Sequence, residues 1–95
     1  MAAYIVLNID VTDPVRYQDY AKAAGATVER FGGRYLVRGG KAEALEGAAA
    51  PRRFVILEFP SYERAKAWWD SVEYSGPKQI RQLAATSDTL IVEGV

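Results

Sequence analysis

The sequence contains no cysteine and no histidine among its 95 residues. Without cysteine the chain cannot form disulfides, zinc ribbons, iron–sulfur clusters or a thiol nucleophile. Without histidine it lacks the commonest transition-metal ligand and the base of a Ser-His-Asp triad. Its carboxylates show neither an Asp-x-Asp nor an EF-hand spacing. We therefore expect no metal and no cofactor.

The chain also lacks a charge surplus and a long apolar run. Twelve basic side chains balance twelve acidic ones, whereas nucleic-acid modules carry a basic surplus. No segment approaches the ~20 apolar residues that a membrane span needs. The apolar opening, Ala2 to Leu7, is too short for a signal sequence and has no basic residue before it. We therefore expect a cytoplasmic protein that binds neither nucleic acid nor membrane.

The composition is nevertheless that of a folding chain. Leu, Ile, Val and Phe account for 23 of the 95 residues, which is above the level typical of disordered chains. A chain of this length has room for one hydrophobic core. We therefore expect a single domain over residues 1–95.

The first half of the chain shows strand, helix and strand signals in turn. Tyr4–Val11 alternates apolar side chains with period two, which predicts a strand. Asp13-Pro14 is typical of a helix start, and an apolar stripe continues from Tyr17 to Phe31. Gly32-Gly33 ends that helix. Arg34–Arg38 is the second predicted strand.

The second half repeats this order. Arg53–Phe59 is the third predicted strand, and Ser61 caps a helix that ends near Ser71. The remaining predicted elements are a helical piece over Glu73–Ala85, a fourth strand over Asp88–Glu93, a short edge piece over Lys41–Glu46 and a loop over Gly47–Pro51.

The element order is therefore βαββαβ, and an internal repeat supports it. Residues 4–9 overlay residues 54–59 at an offset of fifty, and each copy leads into a capped helix. Two such units make a ferredoxin-like α+β fold, a four-stranded antiparallel sheet with its helices on one face. The first and third strands would be central, which would place Asn8 beside its equivalent Glu58.

The second face of this sheet is too apolar for solvent. Ile5, Leu7, Val55 and Leu57 suit the helix-covered face, with Tyr35 and Val37 beside them. The residues left for the open face are Tyr4, Val6, Asn8, Arg34, Leu36, Arg38, Phe54, Ile56, Glu58 and Ile91. A second sheet is the natural cover. We therefore expect a homodimer that forms a dimeric α+β barrel, with charges such as Arg38 and Glu58 paired across it.

Three polar residues of that face form a candidate site. Glu58 beside Phe54 and Ile56 would have a raised pKa and act as a general base. Arg38 would hold a substrate carboxylate or a developing oxyanion, and Asn8 would complete the pocket. The alternative is a structural ion pair at the dimer interface.

Aromatic residues of the later helices supply further candidates. Trp68 and Trp69 lie about 100° apart on a helix, so one should pack under the sheet and the other at a rim or interface. Tyr74 follows the break between two helical pieces, where pockets often open. Each of these side chains has a ligand-binding interpretation and a core-packing one.

Several segments resemble a known family. They are Asp10-Val11-Thr12-Asp13-Pro14, the stretch from Gly32 to Gly40, and Phe59-Pro60-Ser61-Tyr62-Glu63. Together they resemble domain of unknown function 1330, a family of the dimeric α+β barrel superfamily. That superfamily includes cofactor-free monooxygenases, haem-degrading monooxygenases, lactone isomerases and stress-response proteins.

The resemblance extends to one motif of the haem-degrading branch. Trp68-x-x-Ser71-x-x-Tyr74 is similar to a stretch of that branch, and Asn8 matches its first-strand Asn. The haem-ligating His of the branch falls at Lys78. A protonated lysine cannot ligate iron, which argues against haem chemistry and leaves Lys78 as a candidate for substrate binding.

Two functions follow as expectations. The first is a small cofactor-free enzyme, of monooxygenase or isomerase type, that acts on a small aromatic or carboxylate-bearing molecule. The second is a non-catalytic dimer that binds a ligand or serves in a stress response. An open pocket lined by Asn8, Trp68 and Tyr74 would favour the enzyme.

Overall fold

The computed structural model describes residues 1–48 and 50–95. Its elements are β1 (Ala3–Val11), α1 (Pro14–Arg30), β2 (Arg34–Arg38), β3 (Arg53–Phe59), α2 (Tyr62–Trp69), α3 (Val72–Ala84) and β4 (Ala85–Glu93). The strands form one antiparallel sheet in the order β2-β3-β1-β4. This order confirms the ferredoxin-like α+β prediction, with β1 and β3 in the centre.

The predicted helix starts have the expected capping geometry. The Asp13 carboxylate accepts a hydrogen bond from Arg16 N at 3.1 Å, and Pro14 occupies the first helical position. The Ser61 hydroxyl accepts one from Arg64 N at 3.1 Å. These side chains satisfy backbone donors that have no partner within the helix.

The core lies between the sheet and the helices. Alternate residues of β1 and β3 are buried, as period-two patterning requires. The largest fully enclosed side chains are Trp68, Tyr74, Phe59, Ile5, Leu7, Ile9 and Val28. We call this side the helix face of the sheet and the other side the open face.

The fourth strand begins at Ala85 and not at Asp88 as predicted. Its first residues pair with the end of β1, since Ala85 lies opposite Val11 and Ser87 opposite Ile9. The segment has no alternating apolar pattern of its own. Its strand conformation therefore depends on a partner that is distant in sequence.

The expected edge piece over Lys41–Glu46 is not a strand, because these exposed residues have no strand partner. Residues 47, 48, 50 and 51 are likewise irregular, in agreement with the predicted loop. Ala49, within that loop, lies outside the described residues.

A β-bulge in β2 changes the face of two side chains. Tyr35 is opposite Leu57, as expected for the helix face, but Arg38 is opposite Val55, and the register shifts between Tyr35 and Val37. A one-residue slip reverses the facing of every later side chain. Arg38 therefore lies on the helix face and Val37 on the open face, the reverse of the prediction.

The prediction that Ile91 lies on the open face is also wrong. Ile91 is opposite Ile5 and packs against the core on the helix face. Leu90, opposite Val6, lies on the open face in its place. The local sequence of β4 is apolar at consecutive positions, so only its pairing with β1 decides which of them faces the helices.

Asn8 and Glu58 do not lie side by side. Asn8 is opposite Phe54, and Glu58 is opposite Tyr4. The antiparallel pair of β1 and β3 has a pseudo-twofold axis through its centre. Residues that the repeat makes equivalent therefore lie at equal distances on opposite sides of that centre. Asn8 and Glu58 are therefore four strand positions apart, about 13 Å at the usual rise per residue.

Among the helices of the described residues, none combines the length and the apolar character required to cross a bilayer.

Candidate functional site

The predicted site residues divide between the two faces of the sheet. Asn8 and Glu58 lie on the open face, whereas Arg38, Trp68, Tyr74 and Lys78 lie on the helix side. The predicted cluster of Asn8, Glu58 and Arg38 is therefore not formed. The expected pocket lined by Asn8, Trp68 and Tyr74 is not formed either, because the sheet separates the first from the other two.

Asn8 holds the segment that precedes β3. Its side-chain amide donates a hydrogen bond to Ala50 O at 3.2 Å, and its carbonyl accepts one from Arg52 N at 2.9 Å. Both ends of the amide group are thus engaged by backbone.

Glu58 is paired with Arg34 and not with Arg38. Arg34 Nε donates to Glu58 Oε1 at 2.7 Å across neighbouring strands. The Arg34 side chain is 71% exposed and that of Glu58 is 23% exposed, so the pair contributes little stability. The role of Glu58 as a general base stays a prediction.

The two tryptophans divide as expected. Trp68 is fully buried and donates from Nε1 to Thr27 Oγ1 at 3.0 Å, and its ring centroid lies 3.9 Å from that of Tyr74. Trp69 is half-buried at the rim of the helical layer. Trp68 is therefore a core residue, and Trp69 is the tryptophan that a ligand can reach.

The Trp68-x-x-Ser71-x-x-Tyr74 motif forms a helix junction. The Ser71 hydroxyl donates to Trp68 O at 2.8 Å and accepts from Tyr74 N at 3.1 Å. One side chain thus closes α2 and caps α3. Lys78 lies on the next turn, where its ammonium donates to Trp69 O at 2.7 Å and sits 4.4 Å from the centroid of the Trp69 ring.

Tyr74 belongs to a polar cluster in the core that the sequence did not predict. Its hydroxyl lies 2.9 Å from that of Tyr20, and Arg81 Nε approaches it at 3.5 Å. Arg81 Nη1 donates to Ser87 Oγ at 2.7 Å, and Ser87 Oγ lies 3.1 Å from Thr89 Oγ1. We call these five residues the Arg81 cluster.

Arg81 is buried without a counter-charge. The residue is 2% exposed, and none of the ion pairs formed by residues 1–48 and 50–95 involves it. Arginine is almost never fully buried unless it is paired. Its uncompensated positive charge makes this place attractive to an anion.

The Tyr20 phenol does not supply the missing negative charge. Burial, followed by the adjacent Tyr74, raises the pKa of Tyr20 far above its ordinary value of 10.0. Tyr20 is therefore neutral at neutral pH and acts only as a hydrogen-bonding group.

The Arg81 cluster opens to the surface through a cleft. The cleft has a volume of about 360 Å³, and Trp69, Arg81, Ser87 and Thr89 lie in its wall. It forms because the helix-facing residues of β4, an edge strand, are only partly covered by α2 and α3. We call it the Arg81 cleft.

An apolar cleft adjoins it. The two share Trp69 and Thr89, and the second, of about 220 Å³, is otherwise lined mainly by Ile5, Leu90 and Ile91. Trp69 thus lines both a polar cleft with a buried cation and a largely apolar cleft that Lys66 also lines. This arrangement suits a ligand with a flat apolar body and one anionic oxygen.

A weak sequence signal for Arg81 existed. Arg81 follows Tyr74 by seven residues, which places both on one face of α3. A charged residue on a buried helical stripe indicates either a partner or a ligand.

The fold and the cluster define a ferredoxin-like α+β protein with a cation at the floor of a small cleft. Residues 2–95 match a family described as Domain of unknown function (DUF1330). The chain belongs to this family, which confirms the resemblance seen in the sequence.

Three solved structures share the fold. A Rhodopseudomonas palustris protein of unknown function superposes with a TM-score of 0.79 at 18% identity, covering 99% of this chain and 82% of that one. SnoaB, a cofactor-independent oxygenase from Streptomyces nogalater, gives 0.64 at 9% identity, covering 99% and 93%. A Nitrosomonas europaea protein, provisionally described as an antibiotic biosynthesis monooxygenase, gives 0.62 at 16% identity, covering 100% and 99%.

At these identities the likeness shows the fold alone. A comparison with curated proteins finds no matching sequence.

Proposed function

We propose that this chain is a small enzyme that works without a cofactor, of monooxygenase or isomerase type, on a small aromatic molecule with an anionic oxygen. The observation that carries the proposal is Arg81, buried without a carboxylate at the floor of a cleft beside Trp69. The fold shared with a cofactor-independent oxygenase supports it by analogy.

The residues of the cleft have distinct roles in this proposal. Arg81 holds the substrate oxyanion, and Ser87 and Tyr74 fix the orientation of its guanidinium. A positioned cation in a site of low dielectric stabilises charge that develops during the reaction. Trp69 stacks on the aromatic body, which extends into the apolar cleft. An anionic aromatic substrate is itself electron-rich, so it can supply the electrons for O₂ or shift its own proton.

The proposal is tested with a dihydroxyanthrone and O₂. Its CH₂ carbon would become a carbonyl, with one atom of O₂ entering the product and the other leaving as water. We expect Arg81→Gln to lower kcat/KM by about 10²- to 10³-fold, as for a lost oxyanion donor. Arg30→Gln, which removes an arginine whose side chain is 72% exposed, serves as the control. Equal oxygen uptake by the wild type and Arg81→Gln would exclude Arg81 from catalysis.

Glu58→Gln distinguishes the two faces. Glu58 and Arg81 lie on opposite sides of the sheet, so one substrate cannot contact both within one chain. Loss of turnover in Glu58→Gln, with Arg81→Gln unaffected, would locate the chemistry on the open face and support Glu58 as the base.

The non-catalytic alternative also has an observation in its favour. Trp68 and Tyr74 are both 0% exposed and pack against each other as core residues. A ligand-binding or stress-response module would bind the anthrone, quench Trp69 fluorescence and show no oxygen uptake. That result would contradict the proposed enzyme and indicate a binding protein that uses the same cleft.

We further propose a homodimer built through the open face. The apolar strip on this face comprises Tyr4, Val6, Phe54, Ile56, Leu90 and Val92. Leu90 is 57% and Val92 46% exposed, and polar residues lie at both ends of the strip. A twofold interface needs a self-complementary patch with an apolar centre and a polar rim. The apolar strip, centred on the pseudo-symmetric pair of β1 and β3, has these properties. We therefore assign a second copy of the chain as the partner that covers the strip.

The oligomeric state tests the homodimer. We expect light scattering to give the mass of a dimer for the wild type and for Leu83→Glu, which alters an exposed residue of α3. Ile56→Glu, at the centre of the strip, should give monomers. Leu90→Glu, on the edge strand, should do the same if Ile56→Glu fails to fold. A wild type that is monomeric at high concentration would exclude the dimer.

We also propose a cytoplasmic location, because the chain has no cysteine for the disulfides that small exported domains commonly use. Fractionation of cells that express the protein, with the activity recovered outside the cytoplasmic fraction, would contradict this.

A further inference from the structure

Two further arginines, Arg38 and Arg53, lie on the helix face. The bulge in β2 turns Arg38 to the side of Val55, and Arg53, two residues before Val55, shares that side. The guanidinium of Arg38 lies 4.4 Å from the centroid of the Tyr35 ring, and that of Arg53 lies 5.6 Å from the centroid of Tyr17. Stacking occupies the flat face of an arginine and leaves its in-plane N–H donors free.

One of these donors lacks an acceptor within the described part of the chain. Arg53 Nε is buried and has no hydrogen-bond partner among the described residues. Neither Arg38 nor Arg53 takes part in an ion pair within residues 1–48 and 50–95. A buried unsatisfied donor on a charged group is costly, so such groups usually face water or an ion.

Arg38 and Arg53 both line a small cavity. Its volume is about 20 Å³, and the polar groups in its wall belong to Tyr17, Tyr20, Tyr35, Arg38 and Arg53. This space holds about one water-sized atom. No acidic residue lines the cavity, and burial raises the pKa of Tyr35 above its ordinary value.

The segment that follows β2 leaves room for the guanidinium of Arg53. Gly39 has a φ of +75°, and a Cβ at this position would lie 2.7 Å from Arg53 Cζ. The exposed side of Arg38 leaves the site open to solvent.

We propose that Arg38 and Arg53 form a carboxylate-binding site, with one carboxylate oxygen in the cavity against Arg53 Nε and the other held by Arg38 at the surface. The paired N–H donors of arginine match the two oxygens of a carboxylate. The cavity shares Tyr20 with the Arg81 cluster, but it shares no residue with the wall of the Arg81 cleft, and the proposal does not depend on the proposed reaction.

The test is an NMR titration of the full chain with acetate in a buffer free of chloride and phosphate. We expect saturable shifts of the Nε–Hε signals of Arg53 and Arg38. Arg53→Lys and Arg38→Lys should each weaken binding by roughly tenfold or more, as for a hydrogen bond to a charged group. Arg52→Lys, at an exposed position next to Arg53 in the chain, should bind as the wild type does. Arg38 is exposed, so Arg38→Lys should fold and can test the site if Arg53→Lys fails to fold.

Four results would overturn the proposal. Shifts that rise linearly without saturation would indicate general electrostatic screening by acetate and not a site. Acetate binding that Arg52→Lys weakens as much as Arg53→Lys does would indicate the same. Chloride that saturates the same signals and is not displaced by acetate would assign the cavity to a monatomic ion. Inorganic phosphate that binds at least tenfold more tightly than acetate would assign the site to phosphate groups.

Discussion

The hydroxyls of Tyr20 and Tyr74 lie 2.9 Å apart where α1 meets α3 in the core. Removing one of them leaves a buried polar group without its partner, which costs about 1–3 kcal/mol. We therefore expect Tyr74→Phe to lower the free energy of unfolding by about that amount, because Arg81 Nε also loses an acceptor. Urea denaturation measures the change.

Tyr62→Phe is the matched control, since Tyr62 is 37% exposed. The double variant Tyr20→Phe/Tyr74→Phe should lose less than the sum of the single variants, because it removes both partners together. Strict additivity would show that the two hydroxyls do not interact.

Alkaline pH should destabilise the fold through Tyr20. The pKa of Tyr20 is raised above its ordinary value of 10.0, chiefly by burial. Below pH 10 the phenol is neutral in both the folded and the unfolded state, so its contribution is constant. Above pH 10 the unfolded state loses the proton and the folded state keeps it, so stability falls by about 1.4 kcal/mol per pH unit.

Urea denaturation of the wild type and of Tyr20→Phe between pH 8 and pH 11 measures this contribution. The slope of stability against pH above pH 10 should be shallower in Tyr20→Phe than in the wild type. Identical slopes in the wild type and Tyr20→Phe would show that Tyr20 titrates normally in the folded state.

Two glycines should respond in opposite ways to alanine. A Cβ on Gly33 would lie 2.6 Å from an atom of the buried Phe59 ring and 2.9 Å from Val28, so Gly33→Ala should destabilise the fold by about 1–3 kcal/mol. Gly25 lies within α1, and nothing lies within 4 Å of its Cβ position. Gly25→Ala should therefore stabilise the fold by up to about 1 kcal/mol.

Thermal denaturation of both variants is the measurement. A stabilised Gly33→Ala protein would mean that the Phe59 ring can move aside at little cost.

The two tryptophans should differ in their effect on stability. Trp68 is fully buried and hydrogen-bonded to Thr27, so Trp68→Ala should cost about 3–5 kcal/mol. Trp69 is half-buried, so Trp69→Ala should lower the free energy of unfolding by clearly less. Fluorescence distinguishes them further, because Trp68→Phe should remove the emission at shorter wavelength. Equal losses of stability would indicate that Trp69 is covered as completely as Trp68.

The candidate site was less predictable than the fold. The sequence predicts Tyr74 and Lys78 as site residues, but it does not predict Arg81, the neighbour that gives Tyr74 a chemical context. A lone arginine on a helix is normally solvated, and only the packing of α1 and β4 shows that this one is enclosed.

The sequence by itself determined the order of the main helices and strands. Period-two strands and the caps at Asp13 and Ser61 depend on residues close together in the chain, and the repeat at an offset of fifty shows that the same local pattern occurs twice. These patterns predicted the ferredoxin-like sheet. The tertiary structure alone decided the bulge that turns Arg38, the distance between Asn8 and Glu58, and the burial of Arg81. These features depend on strand register and on contacts between distant segments, and the free energies that select them arise only when the whole chain packs.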